Sequence, residues 1–466
     1  MDRHLAELPL RAARLDPSHR PAPTGSRKVR LGLAACLFAG SGCASIQPEP
    51  TDTFPSFRDR IPSNVLMVSI ETLRRDHLAR YGAREAFMPF LEGLAAEGVV
   101  LDAHRSCTNW TFPAAFCYAT GADATHAGWV PRYDAETRAP MPDLPTLAAW
   151  LSEAGFHTML FSTMSWLSSQ WNTDAGFQES TCEGAQASVV WTHGLEAVET
   201  ARARGVDRWF LHLHLKEPHS PYTPPEAYLG GLEALEPIPY DLSTMEGHDE
   251  VRAVLGTLSE DERRLVLAHV RVRYEGEMRW LDDQLREAWQ TFQARGLLDD
   301  TLVVFWSDHG EQFWDHGEIG HAHDLHVEET DALAFFWARN ILPDTWDGLT
   351  AHPDLTATLL ALEGIDSPPE VSGLPVGTAP QDRPWLGWTA ARLGPVQAVV
   401  LDGFKLIYRW KKGDKELYDL KADPTETVDL YAPDHPEAIR LWERLLPEVE
   451  AMASLVPEYT PFDPGP

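Results

Sequence analysis

The sequence predicts an α/β fold: a mostly parallel central sheet between helices, followed by a small C-terminal α+β subdomain. Three observations lead there. The run Val65–Ile70 is apolar almost throughout and of strand length, as expected of a parallel strand covered on both faces. Further strand-like runs, His157–Ser162, Trp209–Leu215 and Thr301–Trp306, alternate with helical segments, the pattern of a wound parallel sheet. After a Pro- and Gly-rich connector, Asp366–Asp382, the strand-like segments become closely spaced and end in a single helix.

From the N-terminus, Arg27-Lys28-Val29-Arg30 precedes the apolar run Leu31–Ala39, too short to span a bilayer, and then Gly40-Ser41-Gly42-Cys43. This resembles a bacterial lipoprotein signal with Cys43 as the lipidated residue. Residues 1–43 are therefore expected to be a leader and signal, and the proline-bearing 44–63 a linker. That reading places the chain in the bacterial cell envelope, lipid-anchored or periplasmic or secreted. Its membrane contact would come only through the anchor at Cys43.

Core patterning begins at Asn64, and 64–380 is expected to form the catalytic domain. Val65–Ile70 ends in Glu71; a helix over Met88–Glu97 and a strand over Val99–Ala103 lead to Cys107–Gly121. There Thr111 and Pro113 open a short apolar helix. Proline suits a first helical turn, and Thr111 lies at the helix's positive end, where a threonine usually caps but a hydroxyl can also serve as nucleophile. Helices are expected over Leu144–Ala154 and Thr192–Ala203. The strand Trp209–Leu215 runs into a loop whose spaced prolines hold His219. A long helix, Glu260–Arg295, hands over to the strand that ends in Ser307-Asp308-His309-Gly310-Glu311. Next come the His-rich loop Asp315–His326, a strand over Ala332–Ala338 and a helix over Pro353–Glu363. The subdomain 381–466 is expected to hold strands at Gln397–Leu401, Lys405–Arg409 and Glu416–Leu420 and a helix over Pro436–Met452.

At 466 residues the chain carries a formal net charge of −31 and a pI near 4.9, which excludes nucleic-acid binding by bulk electrostatics. An anionic substrate must be drawn in locally. The five cysteines form no zinc-type pattern; Cys107 and Cys117 flank Thr111 and are either a disulfide or two buried thiols.

Glu71, Asp308 and His309 each follow a strand of one sheet and reach the same edge as Thr111. Two carboxylates and an imidazole suit one divalent metal ion, Ca²⁺, Mg²⁺, Mn²⁺ or Zn²⁺. Such an ion beside Thr111 activates its hydroxyl and holds an oxygen of a sulfate or phosphate ester. His219 and the pair His321 and His323 are candidates to hydrogen-bond the ester oxygens or protonate the leaving group.

In chain order, Asn64–Gly82, Asn109–Gly121, Phe210–Pro225, Tyr274–Leu285, Thr301–Glu311, Gly320–Glu329, Phe404–Trp410 and Glu416–Leu430 resemble the sulfatase family of the alkaline phosphatase superfamily. The resemblance implies an alkaline-phosphatase-like sheet and a single-metal hydrolase. It implies metal ligands at Glu71, Asp308 and His309, a nucleophile at Thr111, and His219 and His321 on the ester oxygens. Four positions depart from the family pattern. The formylglycine motif Cys-x-Pro-x-Arg is Thr111-Phe112-Pro113-Ala114-Ala115, the usual strand-end Asp is Glu71, position 115 is Ala, and the Tyr of the late histidine loop is His326. No formylglycine is expected. Relatives with an unmodified threonine imply phosphoester or phosphodiester chemistry through a phosphothreonine, as a hydrolase or a transferase, on a small-molecule or glycan- or lipid-linked anionic ester. The competing expectation is a catalytically decayed, surface-anchored binding protein.

Overall fold

A strand with both faces covered sits at the centre of the computed structural model, which describes residues 53–133, 138–182, 186–380 and 382–459. The signal, Cys43 and the first part of the linker, 44–52, lie outside the described residues. Eight strands form the central sheet: β1 Asn64–Ile70, β2 Val99–Leu101, β3 His157–Ser162, β4 Glu179–Cys182, β5 Trp209–Leu215, β6 Thr301–Ser307, β7 Ala334–Trp337 and β8 Asp344–Trp346. Their order is β8-β2-β7-β6-β1-β5-β3-β4, with every neighbour parallel except β7, which runs against both β2 and β6.

Strand alternation sorts β1 into two cores. Leu66, Val68 and Ile70 enter one hydrophobic cluster, Val65 and Met67 the other. The covering helices are α1 Thr111–Thr120, α2 Leu147–Glu153, α3 Ala187–Ala203, α4 Glu260–Ala294 and α5 His352–Leu362. Residues of α3 and α4 fill the first cluster, while those of α1, α2 and α5 fill the second. A smaller antiparallel meander follows, β9 Trp385–Ala391, β10 Gly394–Leu401, β11 Phe404–Arg409 and β12 Asp414–Asp419, backed by α6 Pro436–Leu455. Phe112 and Phe116 of α1 share a third cluster with Val399, Leu406 and Leu441, so the meander packs on the helix that carries Thr111. No helix among the described residues is long and apolar enough to cross a membrane.

Several elements differ from the sequence expectation. The helix expected from Thr192 starts at Ala187, whose N–H donates to the Glu217 carboxylate at 3.2–3.3 Å. A cap supplied from 30 residues away leaves no local signal. The edge strand β4 and the strand β9 were not anticipated, since the pairing that makes them strands is with β3 and β10. The expected helix over Leu144–Ala154 begins only at Leu147, capped by the Thr146 hydroxyl.

Candidate active site

Register brings the strand ends together. Ile70 pairs with Leu215 on one side and Ser307 on the other, so Glu71 and Asp308 leave the sheet at the same edge. Asp308 Oδ1 accepts the N–H groups of Thr72 at 3.0 Å and His309 at 2.8 Å. Its Oδ2 is buried without a hydrogen-bond partner. Close approach fixes the next turn: a Cβ on Gly310 would lie 1.9 Å from the Glu328 carbonyl oxygen, so only glycine fits there.

Thr111 is the first residue of α1, behind the extended Trp110, and it does not cap the helix. Its side chain is buried, and its hydroxyl donates to Glu71 Oε1 at 2.7 Å. Glu71 Oε2 has no hydrogen-bond partner and lies 3.6 Å from His214 Nε2, which has none either. His214 was absent from the sequence reading. It stands on β5 opposite Ser69, whose Oγ lies 2.7 Å from its Nδ1 and 2.9 Å from Nε2 of His212; Tyr118 OH reaches the other nitrogen of His212 at 2.9 Å. The signal was present as two histidines at alternate positions of a buried strand, which put both on one face.

Glu71, His214 and Asp308 each present one ligand atom within 4.8 Å of the others, and all three residues are buried. Buried polar atoms are ordinarily paired, so three converging unpaired ones fit a divalent cation. The charges agree. Burial, and then the charge of Glu71, push the Asp308 carboxyl up. Burial works against Glu71 too, but His219, His214 and the Thr111 hydroxyl outweigh it and hold that carboxyl down. A cation between the two carboxylates would relieve their repulsion.

His309 Nδ1 faces the Gly310 carbonyl at 2.9 Å, which makes it the protonated nitrogen and leaves Nε2 as the lone-pair donor. That Nε2 is 3.4 Å from Asp308 Oδ2 and 3.5 Å from Thr111 Oγ1. Burial lowers its pKa to about 4, so the ring is neutral at pH 7. His219 Nε2 is 3.7 Å from Glu71 Oε1. His321 stacks obliquely near both, with ring centroids 4.7 Å from His309 and 5.1 Å from His219, and its Nδ1 is 3.1 Å from Glu311 Oε1. Burial and the two neighbouring imidazoles lower its pKa. His323 points elsewhere: its Nε2 is 3.1 Å from the Ile319 carbonyl and its Nδ1 3.6 Å from Glu318. The fold thus gathers Glu71, Thr111, His219, Asp308, His309 and His321, adds His214, and leaves His323 to one side.

Cys107 and Cys117 form a disulfide that brackets Thr111. A second group, His316, His326 and Glu426, is compact enough for an ion but is built differently. Its two imidazoles stack 3.7 Å apart and within 2° of parallel, so no single ion can lie in both ring planes, and Lys405 Nζ already sits 2.8 Å from Glu426 Oε1.

A family model described as Sulfatase matches residues 63–365. An uncharacterised sulfatase, YidJ, from Escherichia coli strain K12 is 23% identical over 424 residues, 79% of this chain and 82% of that protein. The multifunctional alkaline phosphatase superfamily protein PehA of Trinickia caryophylli is 27% identical over 145 residues, 27% of this chain and 28% of its own length. Among solved structures, the phosphonate monoester hydrolase of Silicibacter pomeroyi superposes with a TM-score of 0.64 at 19% identity, covering 84% of this chain and 95% of that one. A protein solved with its substrate D-glucosamine-2-N,6-O-disulfate also reaches 0.64, at 15% identity, covering 86% and 99%.

Proposed function

The chain belongs to the sulfatase family, and on that premise we propose that it is a metal-dependent ester hydrolase with unmodified Thr111 as nucleophile, acting on phosphoesters or phosphodiesters in preference to sulfate esters. The observation that carries the reading is the 2.7 Å hydrogen bond from Thr111 Oγ1 to Glu71 Oε1, beside three unpartnered ligand atoms. Thr111 and Ala115 stand where formylglycine chemistry requires Cys and Arg. A sulfated threonine cannot shed sulfate by the hemiacetal route, whereas water can split a phosphothreonine. The fold itself hosts phosphonate ester cleavage in a structural neighbour.

Glu71 Oε2, His214 Nε2 and Asp308 Oδ2 would hold the ion, with His309 Nε2 adjacent. A bound divalent cation supplies Lewis-acid charge that lowers the hydroxyl's pKa and fixes an ester oxygen. The hydroxyl proton leaves along its hydrogen bond to Glu71. The Oγ1–phosphorus bond forms as the bond to the leaving oxygen breaks. His219 hydrogen-bonds the ester oxygens. His321, tied through Nδ1 to Glu311, keeps Nε2 as the proton acceptor for the water that splits the phosphothreonine. The disulfide and the apolar run 31–39 support an oxidising envelope compartment, with Cys43 as lipid anchor.

Purified protein tested with Ca²⁺, Mg²⁺, Mn²⁺ and Zn²⁺ against aryl phosphate monoesters, diesters, phosphonates and sulfates is expected to cleave a phosphorus ester with kcat/KM at least about tenfold above the sulfate. Thr111→Ala should lower kcat by about 10³-fold or more with metal still bound, and Thr111→Ser should keep measurable turnover. Bound metal without turnover of any ester would instead favour the decayed binding protein. Wild-type rates in Thr111→Ala would remove Thr111 from the chemistry.

A further inference from the structure

Beside His219 the site opens into a cavity of about 780 Å³, within the range of organic-ligand pockets. Its lining includes Met164, Ser165, Lys216, Glu277 and Trp280, none of which takes part in the ester chemistry above. Glu277, on α4, is only 3% exposed. Its Oε1 accepts the Thr223 N–H at 2.5 Å, while Oε2 is buried without a partner. Burial pushes this carboxyl up to about 8, so at pH 7 it carries both a donor and an acceptor. Trp280 follows three residues later on the same helix face.

Lys216 completes the set. The His219 N–H donates to the Lys216 carbonyl at 2.8 Å, so one tight turn carries both the ammonium and the imidazole. Among the described residues no carboxylate forms an ion pair with Lys216, in a chain of 70 acidic and 39 basic residues. An alkyl tail or plain aryl group in this cavity would leave the buried Glu277 Oε2 unpaired and offer the half-buried Lys216 ammonium no counter-charge, and a buried polar group left unpaired disfavours such ligands.

We propose that this cavity holds the organic part of the ester and that this part is a hydroxylated, anionic ring such as an acidic sugar. Lys216 pairs with its anionic group, Glu277 hydrogen-bonds a hydroxyl, and Trp280 covers the ring's apolar face. The assignment rests on the hydrolase reading above for its placement beside the reacting ester.

The test uses the full chain and three probes: methyl glucuronide, methyl glucoside and cyclohexanecarboxylate. Each is titrated by calorimetry and used to compete with hydrolysis of the aryl ester. The glucuronide is expected to bind about tenfold tighter than either other probe, and Lys216→Met to erase its advantage over the glucoside. Glu277→Leu should weaken both sugars about tenfold, while Glu277→Gln, which keeps a donor and an acceptor, retains them. Circular dichroism melts identify any variant that fails to fold, and Glu277→Gln then carries that arm. Equal binding of the three probes, no binding, tightest binding of cyclohexanecarboxylate, or an unchanged preference in Lys216→Met would each overturn the cavity assignment. If no ester is turned over but the calorimetric preference holds, the hydrolase reading falls and the cavity assignment stands. If esters turn over without that preference, the reverse applies.

Discussion

At Glu71, one methylene more than an aspartate carries the carboxylate out to Thr111 Oγ1 while Oε2 still faces His214. An Asp on the same backbone would draw back by about 1.5 Å, one carbon–carbon bond, and lose one of these contacts. His214 makes the sharper test. Its unpartnered Nε2 beside Glu71 and Asp308 leads to the expectation that His214→Ala lowers divalent-cation affinity at least about tenfold by calorimetry, with His323→Ala, directed at the Ile319 carbonyl, leaving affinity unchanged. The strand-end acids were legible because a carboxylate closing a buried run is visible in order and type alone. His214 was not, because its role depends on which residue of β1 the register sets beside it.

Among the elements, α1 is held from both sides. The Cys107–Cys117 disulfide closes the segment containing Thr111, and Gly121 ends the helix in the left-handed conformation at φ 65°. Closing a loop of this length in the unfolded chain is worth about 2–3 kcal/mol. The double variant Cys107→Ala, Cys117→Ala is expected to lose that much in denaturant unfolding. The spacing of the two cysteines allowed this bond but did not require it. Helix α4 was legible nearly end to end from its periodicity, whereas the start of α3 was not, since Glu217 caps it from the far side of the β5 turn.

Over the whole molecule, the meander β9–β12 and the His-rich loop lock together. Lys405 and Glu426 form a fully buried ion pair, and Arg409 bonds both Asp324 and Glu416. His316 joins them with Nδ1 3.1 Å from Glu328 and Nε2 2.9 Å from the Glu426 carbonyl, two acceptors that call for a charged ring. Burial opposes the charge, but Glu328 and Glu426 outweigh it and raise the pKa to about 9. That lies above the unfolded value of about 6.5. The stabilisation is therefore full below about pH 6.5 and lost as pH rises through 9. Wild type should exceed His316→Gln by about 1–3 kcal/mol near pH 6 in denaturant unfolding, and the gap should close by about pH 10. The sequence by itself determined the fold class, the carboxylates at the strand ends, and the absence of the cysteine and arginine that formylglycine chemistry requires. All of these reside in residue type and local order. Only the tertiary structure decided that His214 joins Glu71 and Asp308, that Thr111 turns to Glu71 instead of capping its helix, and that Lys216 and Glu277 share a cavity. Those depend on strand register and on contacts between residues far apart in the chain, which no local pattern encodes.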